Sequence, residues 1–139
     1  MRRNILVCGV LLASALLTHT ATAAEPSPVQ IKGVRTGGCL TDGGTSVYTP
    51  RCGVLGDLQK WTIEGNQIKN VQTGGCLTDS SANVYTPRCG VLGDLQKWTI
   101  EDNQIKNVQT GRCLTDAGAE AHTTLCGVLG DAQRWTLIP

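Results

Sequence analysis

Three consecutive segments of this chain are near copies of one another. Residues 30–66, 67–103 and 104–139 each begin with Gln-Ile-Lys and carry a cysteine at the same place, Cys39, Cys76 and Cys113, so the period is 37 residues. A repeat of this length is one supersecondary unit that cannot bury its own apolar face. The fold must come from units packed together, and any site on one unit is offered up to three times.

Within a repeat the pattern is that of strands. Taking the second, QIKNV alternates with Ile68 and Asn70 on one face, and Thr73-Gly74-Gly75 is a turn signal. Cys76-Leu77-Thr78 is a short strand and Asp79-Ser80-Ser81-Ala82 a hairpin loop. Asn83 to Thr86 is β-prone, ending at Pro87, and a glycine-closed loop runs from Cys89 to Asp94. Lys97-Trp98-Thr99-Ile100 forms the fourth strand, with a tight turn at Asp102-Asn103. No segment sustains a 3.6-residue period. Four strands per unit and three units predict an all-β chain of about twelve strands, too few blades for a propeller and suited to a closed barrel with a threefold axis.

The N-terminus reads differently. Arg2 and Arg3 precede an apolar run from Ile5 to Leu17, followed by small residues. This is the pattern of a secretory signal peptide over residues 1–24, with a short linker at 25–29; the run falls short of the roughly 20 residues a membrane span needs. Beyond it, Cys39, Cys52, Cys76, Cys89, Cys113 and Cys126 pair off within each repeat at a constant spacing of 13. In an exported chain that reads as three disulfides, Cys39–Cys52, Cys76–Cys89 and Cys113–Cys126. Each closes a loop whose constraint on the unfolded chain contributes on the order of 3 kcal/mol. There is no CxxC, and His122 is the one histidine after the signal segment, so no metal site is expected and no cofactor is implied. With the signal arginines set aside, ten Lys and Arg face eleven Asp and Glu and no basic run exists, which argues against nucleic acid as a partner.

The motif GxCL…C…QxW recurs at Cys39-Leu40, Cys52 and Gln59-Lys60-Trp61; at Cys76-Leu77, Cys89 and Gln96-Lys97-Trp98; and at Cys113-Leu114, Cys126 and Gln133-Arg134-Trp135. Across residues 30–139 the chain resembles the ricin-B-type (QxW) lectins, and NVQTGGCL, NVYT and QKWT resemble the actinohivin group among them. The resemblance implies a β-trefoil with pseudo-threefold symmetry. It also implies secretion, one shallow carbohydrate site per repeat, glycans or glycoproteins as partners, mannose-type glycans first, and no catalysis. In that family an acid two places after the first cysteine grips sugar hydroxyls and an aromatic on the third strand stacks on the sugar. Here Thr41, Thr78 and Thr115 hold the acid's place, and Asp42, Asp79 and Asp116 follow one residue later. A one-residue slip in a strand reverses the face.

The candidate sugar contacts are therefore Asp42, Asp79 and Asp116; Tyr48, Tyr85 and His122 at the stacking position; and Asp57, Asp94 and Asp131 in the longer loop. Each has a plainer reading. Aspartate stabilises turns through its own backbone, and the tyrosines serve equally as packing in a core without phenylalanine. Trp61, Trp98 and Trp135 are expected to fill the barrel, and Gln59, Gln96 and Gln133 to fix the preceding loop. The functional alternative is a protein-binding trefoil, such as an inhibitor, which exposure of the Val54-Leu55 pair would favour. The carboxylates are too dispersed by the repeat for a glycosidase pair.

Overall fold

The computed structural model describes residues 26–139; the expected signal peptide lies outside the described residues. Twelve strands follow one another: β1 (Gln30–Gly33), β2 (Thr41–Asp42), β3 (Val47–Tyr48), β4 (Trp61–Glu64), β5 (Gln67–Asn70), β6 (Thr78–Ser80), β7 (Asn83–Tyr85), β8 (Trp98–Glu101), β9 (Gln104–Asn107), β10 (Cys113–Asp116), β11 (Ala121–Thr124) and β12 (Trp135–Ile138). Two kinds of antiparallel pair build the trefoil. The fourth strand of each repeat pairs with the first strand of the next, β4 with β5 and β8 with β9, and β12 returns to β1 to close the ring. The two middle strands of each repeat pair with one another as a hairpin: β2–β3, β6–β7 and β10–β11. Val29, in the expected linker, already exchanges backbone hydrogen bonds with Trp61 at 2.8 and 2.9 Å.

Strand alternation places the core. In β5 the sequence QIKN buries Ile68 and Asn70 and leaves Gln67 and Lys69 half-buried. The barrel is filled by Ile31, Ile68 and Ile105, by Leu40, Leu77 and Leu114, and by the three tryptophans, none more than 2% exposed. Each indole N–H donates to the carbonyl of its own repeat's leucine, Trp61 to Leu40 and Trp98 to Leu77 at 2.8 Å and Trp135 to Leu114 at 2.9 Å. This satisfies the one polar atom that burying an indole would otherwise strand. The disulfides join the expected pairs, each across 13 residues.

Two local expectations are corrected. Asp79 and Ser80 belong to β6, not to the loop, and the reversal is made by Ser81 and Ala82, whose φ values are 51° and 84°. A two-residue turn with both φ positive matches the twist of the flanking strands. The expected loop before each QxW ends in one turn of 3-10 helix, Gly56–Gln59, Gly93–Gln96 and Gly130–Gln133.

Trp98→Ala is expected to destabilise the protein by about 3–5 kcal/mol, since it leaves a large cavity and strips Leu77 of a hydrogen bond. Denaturant unfolding followed by circular dichroism measures this, and a loss below about 1 kcal/mol would contradict the core assignment.

Candidate functional site

Each middle hairpin has two faces. In β2–β3, Thr41 stands opposite Tyr48 and Asp42 opposite Val47. Alternation therefore puts Asp42 and Val47 on one side and Thr41, Gly43 and Tyr48 on the other.

The aspartate side is internal, and this corrects one expectation. Asp42, Asp79 and Asp116 are 2%, 0% and 1% exposed and do not meet solvent where a sugar would approach. Their carboxylates instead accept hydrogen bonds from threonines of the following repeat. Asp42 accepts from Thr73 and Thr86, both at 2.5 Å. Asp79 accepts from Thr110 at 2.6 Å and Thr123 at 2.9 Å. Asp116 closes the circle, accepting from Thr36 and, at 2.7 Å, from Thr49 of the first repeat. Asp42 and Asp116 also accept from the backbone N–H of Gly44 and Gly118 in their own turns, at 2.8 and 3.0 Å. The one-residue slip has moved the acid to the opposite face of the strand. The partner threonines were not singled out from sequence, although Thr36, Thr73 and Thr110, and Thr49, Thr86 and Thr123, recur at the 37-residue period.

On the other side the threonine that holds the family acid's place is also occupied. The Thr41 hydroxyl donates to the Cys39 carbonyl at 2.8 Å and accepts from Gln59 Nε2 at 3.2 Å. Gln59 also donates to the Arg51 carbonyl at 2.9 Å, and its Oε1 accepts from the Gly53 N–H at 2.8 Å. Gln96 and Gln133 repeat the arrangement with Thr78, Arg88 and Gly90, and with Thr115, Leu125 and Gly127. Each glutamine thus pins both ends of its loop to the hairpin, as a buried amide with every polar atom engaged should.

What this face leaves open to solvent is aromatic. Tyr48, Tyr85 and His122 are half-buried. Above the pinned glutamines stand Asp57, Asp94 and Asp131, exposed and paired with Lys60, Lys97 and Arg134 at 3.3, 3.1 and 3.8 Å. Such solvent-exposed pairs stabilise a fold by about 1 kcal/mol or less, so these carboxylates have no buried structural duty. Thr41, opposite Tyr48 in the hairpin, is bonded to Gln59, which ends the 3-10 turn that carries Asp57.

The three copies are not equivalent. A β-carbon on Gly43 would stand 2.9 Å from the Tyr48 ring, and the second repeat has Ser80 at that position. In the third repeat Arg112 replaces Gly38 and Gly75. Its guanidinium donates to the Thr123 carbonyl at 2.8 Å, and its Nε is buried without a partner. Leu125, 67% exposed, stands where the others have Arg51 and Arg88. A hollow of about 310 Å³ lies by the β4–β5 turn, among Ile63, Ile68, Trp98 and Ile100, apart from the aromatic positions.

A profile of the ricin-type beta-trefoil lectin domain matches residues 27–135. The chain belongs to that family. The matched domain is a carbohydrate-binding module and not a catalytic one. Comparison with curated protein sequences yields no significant match. Among solved structures, the chain is similar to a non-toxic type II RIP homologue from Momordica charantia (bitter gourd), with a TM-score of 0.71 and 22% identity over 83% of this chain. It is also similar to the agglutinin from Abrus precatorius, TM-score 0.71 and 24% identity over 81%. It spans about half of each, 49% and 48%, but 98% of the designed threefold-symmetric protein ThreeFoil, TM-score 0.68 and 19% identity. At these identities the likeness establishes the β-trefoil fold.

Asp79→Ala is expected to cost on the order of 3 kcal/mol, because it removes two charge-assisted hydrogen bonds and leaves the buried Thr123 hydroxyl unpaired. Asp94→Ala is expected to stay within about 0.5 kcal/mol of the parent. Parallel urea titrations distinguish the two, and equal small losses would return Asp79 to the surface.

Proposed function

We propose that the protein is a secreted, multivalent lectin that takes glycans at Tyr48 and Tyr85, with a weaker or absent third site at His122. The observation that carries this is the half-exposed aromatic at one register position of each hairpin, beside a loop pinned by a buried glutamine. A tyrosine there offers a flat apolar face to sugar C–H groups and a hydroxyl at its tip. The exposed Asp57 and Asp94 are acceptor-only groups suited to sugar hydroxyls. Asp42, Asp79 and Asp116 act behind the site, holding each hairpin against its neighbour. Three disulfides in so small a core suit an oxidising, extracellular setting, in keeping with the N-terminal pattern.

Shallow sites of this kind bind weakly one at a time. Simultaneous engagement raises avidity by about 10²–10⁴ where the ligand spacing permits. Mannose-type glycans are the first ligands to test, on the resemblance to the actinohivin group. Galactosides form the second arm, since the bitter gourd homologue is described in complex with α-methyl-D-galactoside.

One observation favours the protein-binding alternative. Val54, Val91 and Val128 are 56–57% exposed in the loop that precedes each QxW, but of the expected Val54-Leu55 pair only the valine is exposed: Leu55 and Leu92 are half-buried, and only Leu129 of the third repeat joins its valine. Surface binding to multivalent mannosides and galactosides, with Tyr48→Ala, Tyr85→Ala and His122→Ala variants, separates the readings. Either tyrosine change is expected to lower avidity at least tenfold and the histidine change to alter it little. Negligible effects of both tyrosine changes, in variants whose thermal melts match the parent, would remove the lectin reading. Val91→Asp would then be the variant to test for loss of a protein partner.

A further inference from the structure

A second hollow lies on the pseudo-threefold axis, where the three middle hairpins meet. It measures about 260 Å³ and is lined by Thr45, Ser46, Asn83, Val84, Glu120 and Ala121. Ser46, Asn83 and Glu120 occupy one position of the 37-residue period, so each repeat contributes its counterpart. Backbone bridges hold the hairpins there: Tyr48 pairs with Glu120 and His122 with Asn83, and the Thr123 N–H donates to the Ala82 carbonyl at 2.9 Å. Beneath, Ala121 replaces the valine of the other two repeats, which makes the third side of the hollow roomier.

Two further features single this place out. The first two repeats differ at seven positions, and four of them fall at residues 43–46 and their counterparts 80–83, where these hairpins turn. Elsewhere the copies are almost the same, including at every seam, core and QxW position except Gly33/Asn70. The charge is also one-sided. No Lys or Arg occurs in the three hairpin turns, Glu120 is the only ionisable residue of the lining, and among the described residues it joins no ion pair.

We infer that the axial hollow is a binding site for a primary ammonium group carried on a small polar ligand such as a 2-amino sugar. An ammonium presents three N–H donors about its own threefold axis. The hollow presents three acceptor-bearing side chains about another: the Ser46 hydroxyl, the Asn83 amide oxygen and the Glu120 carboxylate. The carboxylate supplies the charge, and the Asn83 amide N–H and Thr45 hydroxyl are left for a ring hydroxyl. One carboxylate among neutral oxygens suits a monovalent charge better than a divalent cation, whose sites take more carboxylates. The volume lies just below the roughly 300 Å³ at which pockets for drug-sized ligands begin, so it suits a single ring.

The test is a titration followed by NMR at the Asn83 side-chain amide and the backbone amides of Ser46 and Glu120, near neutral pH. The probes are glucosamine, N-acetylglucosamine, methylammonium and tetramethylammonium. Glucosamine is expected to shift these resonances saturably, and Glu120→Gln, an exposed change that leaves the melt unaltered, to weaken it about tenfold through loss of the charge-assisted bond. Saturable shifts with methylammonium as well would place recognition in the ammonium alone. Their absence would mean that the ring contributes; both outcomes support the site. Equal binding of N-acetylglucosamine or tetramethylammonium, unchanged binding by Glu120→Gln, or no shift with glucosamine would overturn it. Because Glu120 is bridged to Tyr48, the titration is repeated on Tyr48→Ala: unchanged shifts with glucosamine keep the axial site separate from glycan binding at the tyrosine, and their loss would overturn it.

Discussion

The trefoil rests on three buried aspartates that each reach into the next repeat. One carboxylate accepts from two threonines across a seam, and three such clasps run from the first repeat to the second, the second to the third, and the third back to the first. An isolated repeat would leave that charge buried and unpaired, or exposed together with its apolar face; only the closed ring satisfies all three. The last seam differs from the others. Asn70 and Asn107 reinforce their seams by donating to the Leu58 and Leu95 carbonyls at 2.9 and 2.8 Å, whereas the first repeat has Gly33, where a β-carbon would strike the Asp116 carboxylate. Where the chain's two ends meet, the clasp is present and the asparagine is not.

The clasp also decides what the outer surface can do. A strand offers its side chains to two faces only, so an acid spent on the seam is withdrawn from the site face. The threonine before it is bonded to the loop glutamine and is withdrawn as well. On the proposed reading, recognition on this face falls to the third strand and the loop, to an aromatic at Tyr48, Tyr85 or His122 and a surface carboxylate at Asp57, Asp94 or Asp131. That is a stacking surface with polar edges, which favours low affinity per site and dependence on multivalency.

The period and the cysteine spacing made the architecture legible. Twelve strands, ring closure, buried tryptophans, loop-pinning glutamines and disulfides within repeats all follow from residue types whose burial or bonding is nearly obligatory. The aspartates were not legible, because a carboxylate next to a turn is equally at home capping it, meeting a ligand or crossing a seam. What separates those fates is the face of the strand. That face depended on where the hairpin turned, and in the second repeat the strand runs through Ser80 rather than stopping before Asp79. The threonine partners share the aspartates' period, yet periodicity shows only that positions correspond, not which of them touch.

Threefold symmetry constrains flanking and axial positions differently. A flanking site draws mainly on one repeat, so duplication leaves the sites proposed at Tyr48 and Tyr85 similar, though Gly43 beside Tyr48 is Ser80 in the second repeat and Tyr48 is bridged to Glu120 of the third. An axial site sees all three repeats at once and presents identical groups until the repeats diverge. A small asymmetric ligand on the axis needs them unlike, with a charge on one side, an amide on another and a hydroxyl on the third. Ser46, Asn83 and Glu120 have that composition, while Cys39, Leu40, Asp42, Gln59 and Trp61 keep their counterparts in all three repeats. The threonine clasps survive divergence at Ser46, Asn83 and Glu120, because they hold the hairpins from the opposite face of the same strands.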